Sequence, residues 1–219
     1  MLHHRGVESD TLDGWARRPV REVRACFDAS TLIVYQAFRA EIALAAVAAG
    51  RYVPPFGPGR MTWFKPSFLW MMHRSGWATK PGQEHVLAVR ITRAGFEAAL
   101  GQACLSAYDP SVDADRAQWA ARLRTSHVRV QWDPERALDL SPLPWRTLQV
   151  GVAGPASRTY VADWITDITD VTPLATTIRT LVQAGDTQAA TALLPNEQPY
   201  PLPTAVAGAI GATATRSPR

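Results

Sequence analysis

The stretch Leu32-Ile-Val-Tyr-Gln-Ala-Phe38, followed by Arg39-Ala-Glu-Ile-Ala-Leu-Ala-Ala-Val-Ala-Ala-Gly50, sets the pattern for the whole chain. Its first half is rich in β-branched and aromatic residues and predicts a strand. Its second half is rich in alanine and predicts a helix over residues 41–49. The helix is expected to end at Gly50, because glycine readily adopts the left-handed conformation that closes a helix. A strand that leads directly into a helix is the first unit of the fold.

The same criteria predict further strands and helices along the chain. Further strands are predicted at residues 22–27, 61–64, 85–92, 128–132 and 147–152. Further helices are predicted at residues 66–74, 96–104, 113–124, 156–168, 173–184 and 187–194. Strands dominate the middle and helices fill the last third, so the predicted class is α+β. We expect one compact domain whose central sheet is mainly antiparallel, strongly bent and flanked by helices.

The domain boundaries follow from composition. Residues 1–20 carry scattered charge without periodicity and are interpreted as a loose lead-in. Residues 204–219 contain mostly Ala, Gly, Thr and Pro and are predicted to be a disordered tail. No internal repeat and no Ser/Gly linker divides residues 21–203, which are therefore predicted to form a single globular domain.

The bulk composition excludes some classes of protein. Hydrophobic residues make up 47% of the chain and charged residues 19%, which is typical of a globular protein. The longest apolar runs, such as residues 42–49, are too short to cross a bilayer. With no apolar leader after Arg5, we expect a cytoplasmic protein without a membrane partner. The net charge of +4 permits an anionic partner without requiring one. The oligomeric state stays open.

Residues 60–80 concentrate the unusual chemistry of the chain. Three of its eight tryptophans and both of its lysines lie in this segment. Aromatic planes beside cations suit a flat, anionic ligand such as a nucleotide or a nucleic acid. A core helix with a basic rim explains the same composition equally well.

Within this segment, Lys65 lies at a predicted junction between a strand and a helix, where it can reach a phosphate. Ser67 falls in the first helical turn, close to unpaired backbone N–H groups. Trp70 and Arg74 fall outside the apolar face of the helix, and a purely structural helix explains them least well. These residues are candidates for ligand binding.

Two later segments supply candidate catalytic groups. Alternation along residues 128–132 places Arg129 and Gln131 on one face of a strand, and Asp133 and Glu135 are expected in the following turn. Glu135 is the better candidate for a general base or a charge-stabilising group, although an exposed loop glutamate is the commoner outcome.

In residues 145–152, Thr147 and Gln149 are predicted to share one strand face. Gly151 inside the strand indicates a close backbone approach or a bulge. Gln36 lies near the end of the predicted strand of residues 32–38. There it can contact a ligand, or it can simply face outward from an interior strand.

Several common signatures are missing from the sequence. It contains no P-loop, no GxGxxG, no HExxH, no GxSxG and no Cys/His cluster with zinc spacing. Cys26 and Cys104 have no metal-ligand spacing. We therefore predict no metal site and disfavour kinase-like and α/β-hydrolase chemistry.

A set of short strings resembles a family of bacterial and fungal proteins classed as domain of unknown function 4291. The resemblance covers roughly residues 21–203, and the family name implies no established reaction. The strings are Tyr35-Gln-Ala-Phe38, Tyr52-Val-Pro-Pro-Phe56, Arg60-Met-Thr-Trp63, Lys65-Pro-Ser-Phe-Leu-Trp-Met-Met72, Arg74-Ser-Gly-Trp77, Gln131-Trp-Asp-Pro-Glu-Arg136 and Pro199-Tyr-Pro-Leu-Pro203.

A looser similarity connects the chain to ADP-ribosyltransferases, which divide their NAD site over two strand-to-helix junctions and a late strand. The similarity implies that Tyr35 and Gln36 hold the nicotinamide-ribose end, with Gln36 where His or Arg is usual. It places Ser67 at the second junction, beside the cofactor. Glu135 or Gln149 then orients the attacking group. The remaining implied roles are stacking on a ring by Trp63 or Trp70 and neutralisation of the pyrophosphate by Lys65 and Arg74.

These observations predict an NAD-dependent transferase of the ADP-ribosyltransferase type that modifies a nucleic acid or a nucleotide. The alternative is a non-enzymatic module that binds RNA or DNA through the aromatic and basic residues 60–80. A third possibility is an interaction protein whose aromatic surface contacts another chain.

Overall fold

Two small sheets form the centre of the fold in the computed structural model, which describes residues 18–213. The strands are β1 (Arg24–Ala25), β2 (Thr31–Phe38), β3 (Thr62–Phe64), β4 (His85–Thr92), β5 (Cys104–Leu105), β6 (Val128–Arg136), β7 (Pro142–Val152), β8 (Ile165–Asp170) and β9 (Gln198–Pro199). The helices are α1 (Ala40–Ala49), α2 (Phe68–Ser75), α3 (Arg93–Gly101), α4 (Arg116–Thr125), α5 (Gly154–Thr159), α6 (Thr172–Gln183), α7 (Thr187–Ala192) and α8 (Thr204–Ile210), and a π-helix spans Tyr160–Trp164. The α+β class is confirmed.

The sheets are mainly antiparallel. One central sheet has the strand order β2-β4-β8 and the other the order β3-β7-β6-β5, in which only β5 runs parallel to its neighbour. A third, two-stranded antiparallel sheet pairs β1 with β9. Backbone bonds between Tyr35 and Lys65 join the two central sheets, with Tyr35 N donating to Lys65 O over 2.6 Å and Lys65 N donating to Tyr35 O over 3.1 Å. The predicted bent sheet is therefore present as two sheets that meet at edge strands β2 and β3.

The hydrophobic core follows the two sheets. Side chains from β2, β4, β6 and β7 fill the larger cluster, in which Leu32, Val34 and Leu148 are fully buried. A second cluster packs α2 and α6 against the other face of β2 and includes Phe68 and Ile178. Both clusters include side chains of β2, so this strand lies between them and contributes to each.

Helix α2 forms where the sequence predicts it. The Ser67 hydroxyl accepts a hydrogen bond from Trp70 N at 3.1 Å and caps the first turn. The helix ends at Ser75 because Gly76 adopts a left-handed conformation with φ of 60°. Lys65 therefore lies between the end of β3 and the start of α2, as expected.

Two predicted boundaries are wrong. The helix predicted over residues 156–168 ends in the π-helix at Trp164, and Ile165–Asp170 forms β8. The β-branched residues of this segment pair with β4, so tertiary pairing decides its structure. The turn predicted at Asp133 and Glu135 is also wrong, because β6 continues to Arg136 and passes the bulge near Pro134.

The predicted tail needs correction as well. Residues Thr204–Ile210 form helix α8, and Ile210 is fully buried. The Trp132 indole N–H donates to the carbonyl oxygen of Ile210 at 2.8 Å, which fixes the helix on the domain. Residues 214–219, and residues 1–17 of the predicted lead-in, lie outside the described part of the chain. Within residues 18–213, no helix has both the length and the apolar character to cross a bilayer.

Candidate functional site

A cavity of about 710 Å³ lies where the two sheets meet. Residues from β2, β3, α2, β6 and β7 line it. Most of the site residues expected from the sequence contribute to its wall, namely Gln36, Trp63, Lys65, Trp70, Arg74 and Gln149. The structure thus brings together side chains that are up to 113 positions apart (149 − 36).

Lys65 forms the polar floor of this cavity. The residue is only 2% exposed, and its Nζ lies 3.2 Å from Asp133 Oδ2. The Nζ also donates to Gln149 Oε1 and lies 3.0 Å from the centroid of the Trp70 ring. Burial lowers the pKa of the Lys65 amine to about 7, an effect that the Asp133 carboxylate opposes only in part. Lys65 is therefore a buried amine whose pKa lies close to neutral pH.

The register of β6 and β7 places the partners of Lys65. Gln131 lies opposite Gln149, and Asp133 lies opposite Thr147. These side chains share one face because residues two apart in a strand point the same way. Gln131 also donates to Asp133 Oδ1 at 2.7 Å and orients the carboxylate. The shared face predicted for Thr147 and Gln149 is thus the face that carries the polar floor.

The two tryptophans of the cavity differ in what they can do. One face of Trp70 is occupied by the Lys65 amine, and its buried indole N–H has no hydrogen-bond partner among the described residues. Trp63 is only partly buried and packs on Gly151, where an added Cβ would lie 2.8 Å from the Trp63 ring. The close approach predicted for Gly151 is confirmed. Trp63 is the better stacking surface for a ligand.

Arg74 brings positive charge to the cavity. Its side chain is exposed on α2, and no carboxylate within residues 18–213 forms an ion pair with it. Lys80, the other lysine, donates instead to the carbonyl oxygens of His73 and Arg74 at the end of α2. Arg74 is therefore available to pair with an anionic ligand.

Gln36 is buried and fully engaged by the protein, so the interpretation that it faces outward is wrong. Its Nε2 donates to Thr62 Oγ1 at 2.8 Å and to the Trp63 carbonyl oxygen at 3.0 Å. Its Oε1 accepts from the hydroxyls of Tyr52 and Tyr160 at 2.8 and 2.7 Å. Because an amide has two donor and two acceptor positions, these four bonds use its full capacity. Gln36 holds β3, and with it Trp63, in place.

The other predicted site residues lie elsewhere. Tyr35 is buried in the smaller core cluster against Phe68, with ring centroids 5.5 Å apart. Ser67 donates to Glu135 Oε1 at 2.8 Å, and both residues line a second cavity of about 870 Å³. Glu135 and Gln149 therefore lie in different cavities. These are the two residues that the sequence gives as alternatives for orienting the attacking group.

The second cavity contains two unusual carboxylates. Burial raises the pKa of Glu135, whose Oε1 also accepts from Arg136 N at 2.8 Å. Glu197 accepts from Phe68 N at 2.7 Å, at the start of α2. Although Glu197 is only partly buried as a residue, burial of its carboxyl group raises the pKa to about 8, and neighbouring Glu135 adds to the rise.

We expect the change Glu197→Gln to alter the pH dependence of stability. The folded protein keeps the Glu197 proton up to about pH 8, whereas the ordinary pKa is 4.5. The native residue thus contributes stability that is complete below 4.5 and lost as the pH rises through about 8. Relative to the native protein, the variant should gain stability between about pH 5 and about pH 9 in urea unfolding. Exposed Glu41→Gln is the control, and parallel pH curves for native protein and E197Q would contradict this account.

Asp133 is the site residue that the sequence reasoning missed. The dipeptide Asp133-Pro134 is typical of a turn, so the sequence alone favours a structural role for Asp133. The signal that identifies Asp133 is the strand alternation. Arg129 and Gln131 share one face, and the next residue on that face is Asp133. Within the described residues, no group of three or more His, Cys, Asp or Glu side chains is arranged to hold a metal ion.

Comparison with known proteins assigns the family. The family model described as "Domain of unknown function (DUF4291)" matches residues 22–200. The chain belongs to this family. The matched region contains both sheets and every described residue of the Lys65 cavity. No curated protein matches the chain in sequence. The DUF4291 description states no activity, so a function has to be argued from the geometry of the site.

Proposed function

We propose that the Lys65 cavity binds a nucleotide, with NAD as the leading ligand, and that the protein is a transferase of the ADP-ribosyltransferase type. The observation that carries the proposal is the position of the Lys65 amine. It lies between the Asp133 carboxylate and the Gln149 amide on the floor of the cavity. An aromatic ring and a guanidinium, those of Trp63 and Arg74, contribute to the same wall.

The dimensions and lining of the cavity support a ligand of this size and charge. Its volume of about 710 Å³ falls within the range of about 300–1,000 Å³ that is usual for small-molecule sites. Arg74 supplies a planar cation for a pyrophosphate, and the partly exposed Trp63 ring supplies a stacking surface for a base. Amide groups such as Gln83 and Gln131 provide neutral hydrogen-bonding partners for ribose hydroxyls.

The floor of the cavity suits the transfer of a ribosyl group. Cleavage of an N-glycosidic bond develops positive charge on the ribose, and the Asp133 carboxylate is a fixed negative charge that stabilises it. Gln149 orients the reacting groups through its bond to Lys65. In this account Gln36, Tyr35 and Ser67 are positioning residues, and Glu135 lies outside the reacting centre. The acceptor that we propose is a nucleic acid or a nucleotide. The thiols Cys26 and Cys104 are free, which agrees with the proposed cytoplasmic location.

Arg74→Ala is expected to weaken NAD binding by about tenfold to a hundredfold, because it removes one charge-assisted contact to the pyrophosphate. The exposed Arg74 side chain has no ion pair with the described part of the chain to lose, so the free energy of unfolding should stay the same. Thermal-shift titrations with NAD, ATP and a short RNA measure the binding, and chromatography of NAD measures its turnover. The matched control is Arg51→Ala, since Arg51 is exposed and lies outside the cavity. Equal NAD binding by both variants would remove Arg74 from the site.

The same titration separates the proposal from its alternative. A module that binds RNA or DNA would be stabilised by the short RNA and not by NAD, and the stabilisation would fall steeply with added salt. That result would exclude NAD as the ligand of this cavity.

A further inference from the structure

Lys65 is the best-placed nucleophile in the cavity. We infer that its Nζ attacks C1′ of the bound ribose N-glycoside, so that the ribosyl group is held on the enzyme as a covalent lysine adduct. This inference rests on the proposed function and specifies its reaction. The substrate class is a nucleotide whose base leaves readily from C1′, with NAD as the member to test.

The contacts of Lys65 favour this role over that of a phosphate anchor. Its amine already has a carboxylate partner at 3.2 Å in Asp133 and lies over the face of Trp70. When the amine is protonated, the Asp133 carboxylate offsets its charge, so the pair has little net positive charge for a pyrophosphate. Arg74, which lacks an ion pair within residues 18–213, is the more suitable anion partner.

The protonation state supports the same conclusion. A lysine is nucleophilic only as the neutral amine, and burial is one of the ways by which enzymes produce that form. Burial lowers the pKa of Lys65 from 10.5 to about 7. At neutral pH the neutral fraction of Lys65 is then about a thousandfold larger than that of an ordinary exposed lysine. Lys80, exposed in the turn that follows α2, supplies the comparison within the same chain.

The adduct forms in two balanced steps. In the first, the lone pair of Nζ forms a bond to C1′ while the bond from C1′ to nicotinamide breaks. Nicotinamide leaves with that electron pair as a neutral molecule, and one Nζ proton passes to Asp133. In the second, the Nζ lone pair forms a double bond to C1′ as the bond from C1′ to O4′ breaks, and O4′ takes the proton from Asp133. The product is a protonated imine, which water or an acceptor then releases from the lysine.

Reductive trapping tests this inference on the whole chain. The protein is incubated with NAD and sodium cyanoborohydride, which delivers hydride to the imine and makes the bond permanent. Intact mass spectrometry and peptide mapping then locate the adduct. We expect one added ADP-ribosyl group at Lys65, with about tenfold or more labelling over Lys80. The adduct should be absent from Lys65→Arg, which keeps the positive charge, and unchanged in the control Lys80→Arg.

The controls make each outcome decisive. Free ADP-ribose reacts slowly with any amine, so a reaction of ADP-ribose with heat-denatured protein gives the background at each lysine. Equal labelling of Lys65 and Lys80, labelling that persists in K65R, or no labelling at all would overturn the inference. A thermal-shift titration with NAD on the same samples distinguishes a failure of the covalent step from a failure of NAD binding. Stabilisation by NAD without an adduct leaves the proposed function standing, whereas the absence of both defeats the proposed function as well.

Discussion

Lys65→Met should lower NAD turnover by about a thousandfold or more, because in the proposed mechanism the variant loses the nucleophile that forms the bond to C1′. Methionine is close to lysine in length and keeps apolar contact with Trp70. Chromatography of nicotinamide release under single-turnover conditions measures the effect. The control is Lys80→Met, which removes the only other lysine, a residue that does not line the cavity. Full turnover by K65M would exclude Lys65 from the chemistry.

The variant also changes stability, and a second variant separates the two effects. Removing one partner of a buried ion pair leaves an uncompensated charge, which costs about 3–5 kcal/mol in fully buried cases. Asp133 is partly exposed and keeps its bond from Gln131, so the cost should be smaller. The double variant Lys65→Met with Asp133→Asn removes both charges. It should recover stability without recovering turnover, and recovery of both would contradict the assigned roles.

The pH profile of the native protein provides a companion to this prediction. In the proposed mechanism the reactive form of Lys65 is the neutral amine, so kcat/KM should rise with pH through about 7, where the amine loses its proton. The ordinary lysine value of 10.5 would instead place the rise several pH units higher. A profile with no rise near pH 7, or one that rises only near 10.5, would contradict the buried amine as nucleophile.

Gln36→Leu should destabilise the protein by about 3 kcal/mol or more. The change removes four hydrogen bonds and leaves the buried hydroxyls of Tyr52 and Tyr160 without this acceptor, and each unpaired buried group costs about 1–3 kcal/mol. Urea unfolding followed by circular dichroism measures the loss. Trp63 should also shift, since Gln36 holds its carbonyl oxygen.

The control for Gln36 is Gln118→Leu on α4. Gln118 is exposed, and its side chain makes no hydrogen bond within the described residues, so its replacement should change the free energy of unfolding by less than about 0.5 kcal/mol. A similarly small effect at Gln36 would show that the four bonds are dispensable. Loss of NAD turnover without loss of stability in Q36L would instead support a direct catalytic role.

The parts of the fold that could be read from the sequence are those with strong local signals. Residues 85–92 alternate clearly and form β4 over the predicted range. Helix α2 has a serine cap and a closing glycine, and both signals are local. Local signals fail where contacts with residues distant in sequence decide, as in residues 165–170 and 204–210. There, β8 forms because β4 offers an edge, and α8 forms because Ile210 finds a buried position.

The site residues, too, divide into those that the sequence predicts and those that only the packing of the chain reveals. Composition alone identified residues 60–80, and the structure places Trp63, Lys65, Trp70 and Arg74 around one cavity. The separation of Glu135 from Gln149 could not be predicted, because it depends on the bulge in β6 and on its pairing with β7. The engagement of the Trp70 face by Lys65 is likewise a product of packing. Asp133 was within reach of the sequence argument, but the Asp-Pro turn signal outweighed the alternation.

The most direct test of the central claim is a crystal structure of the protein soaked with NAD. We predict density for the nucleotide in the cavity above Lys65, with its pyrophosphate within hydrogen-bonding distance of Arg74 and a ring stacked on Trp63. The reacting ribose should lie beside Lys65 and Asp133. An empty Lys65 cavity in crystals that hold NAD elsewhere, or no bound NAD at saturating concentration, would contradict the account.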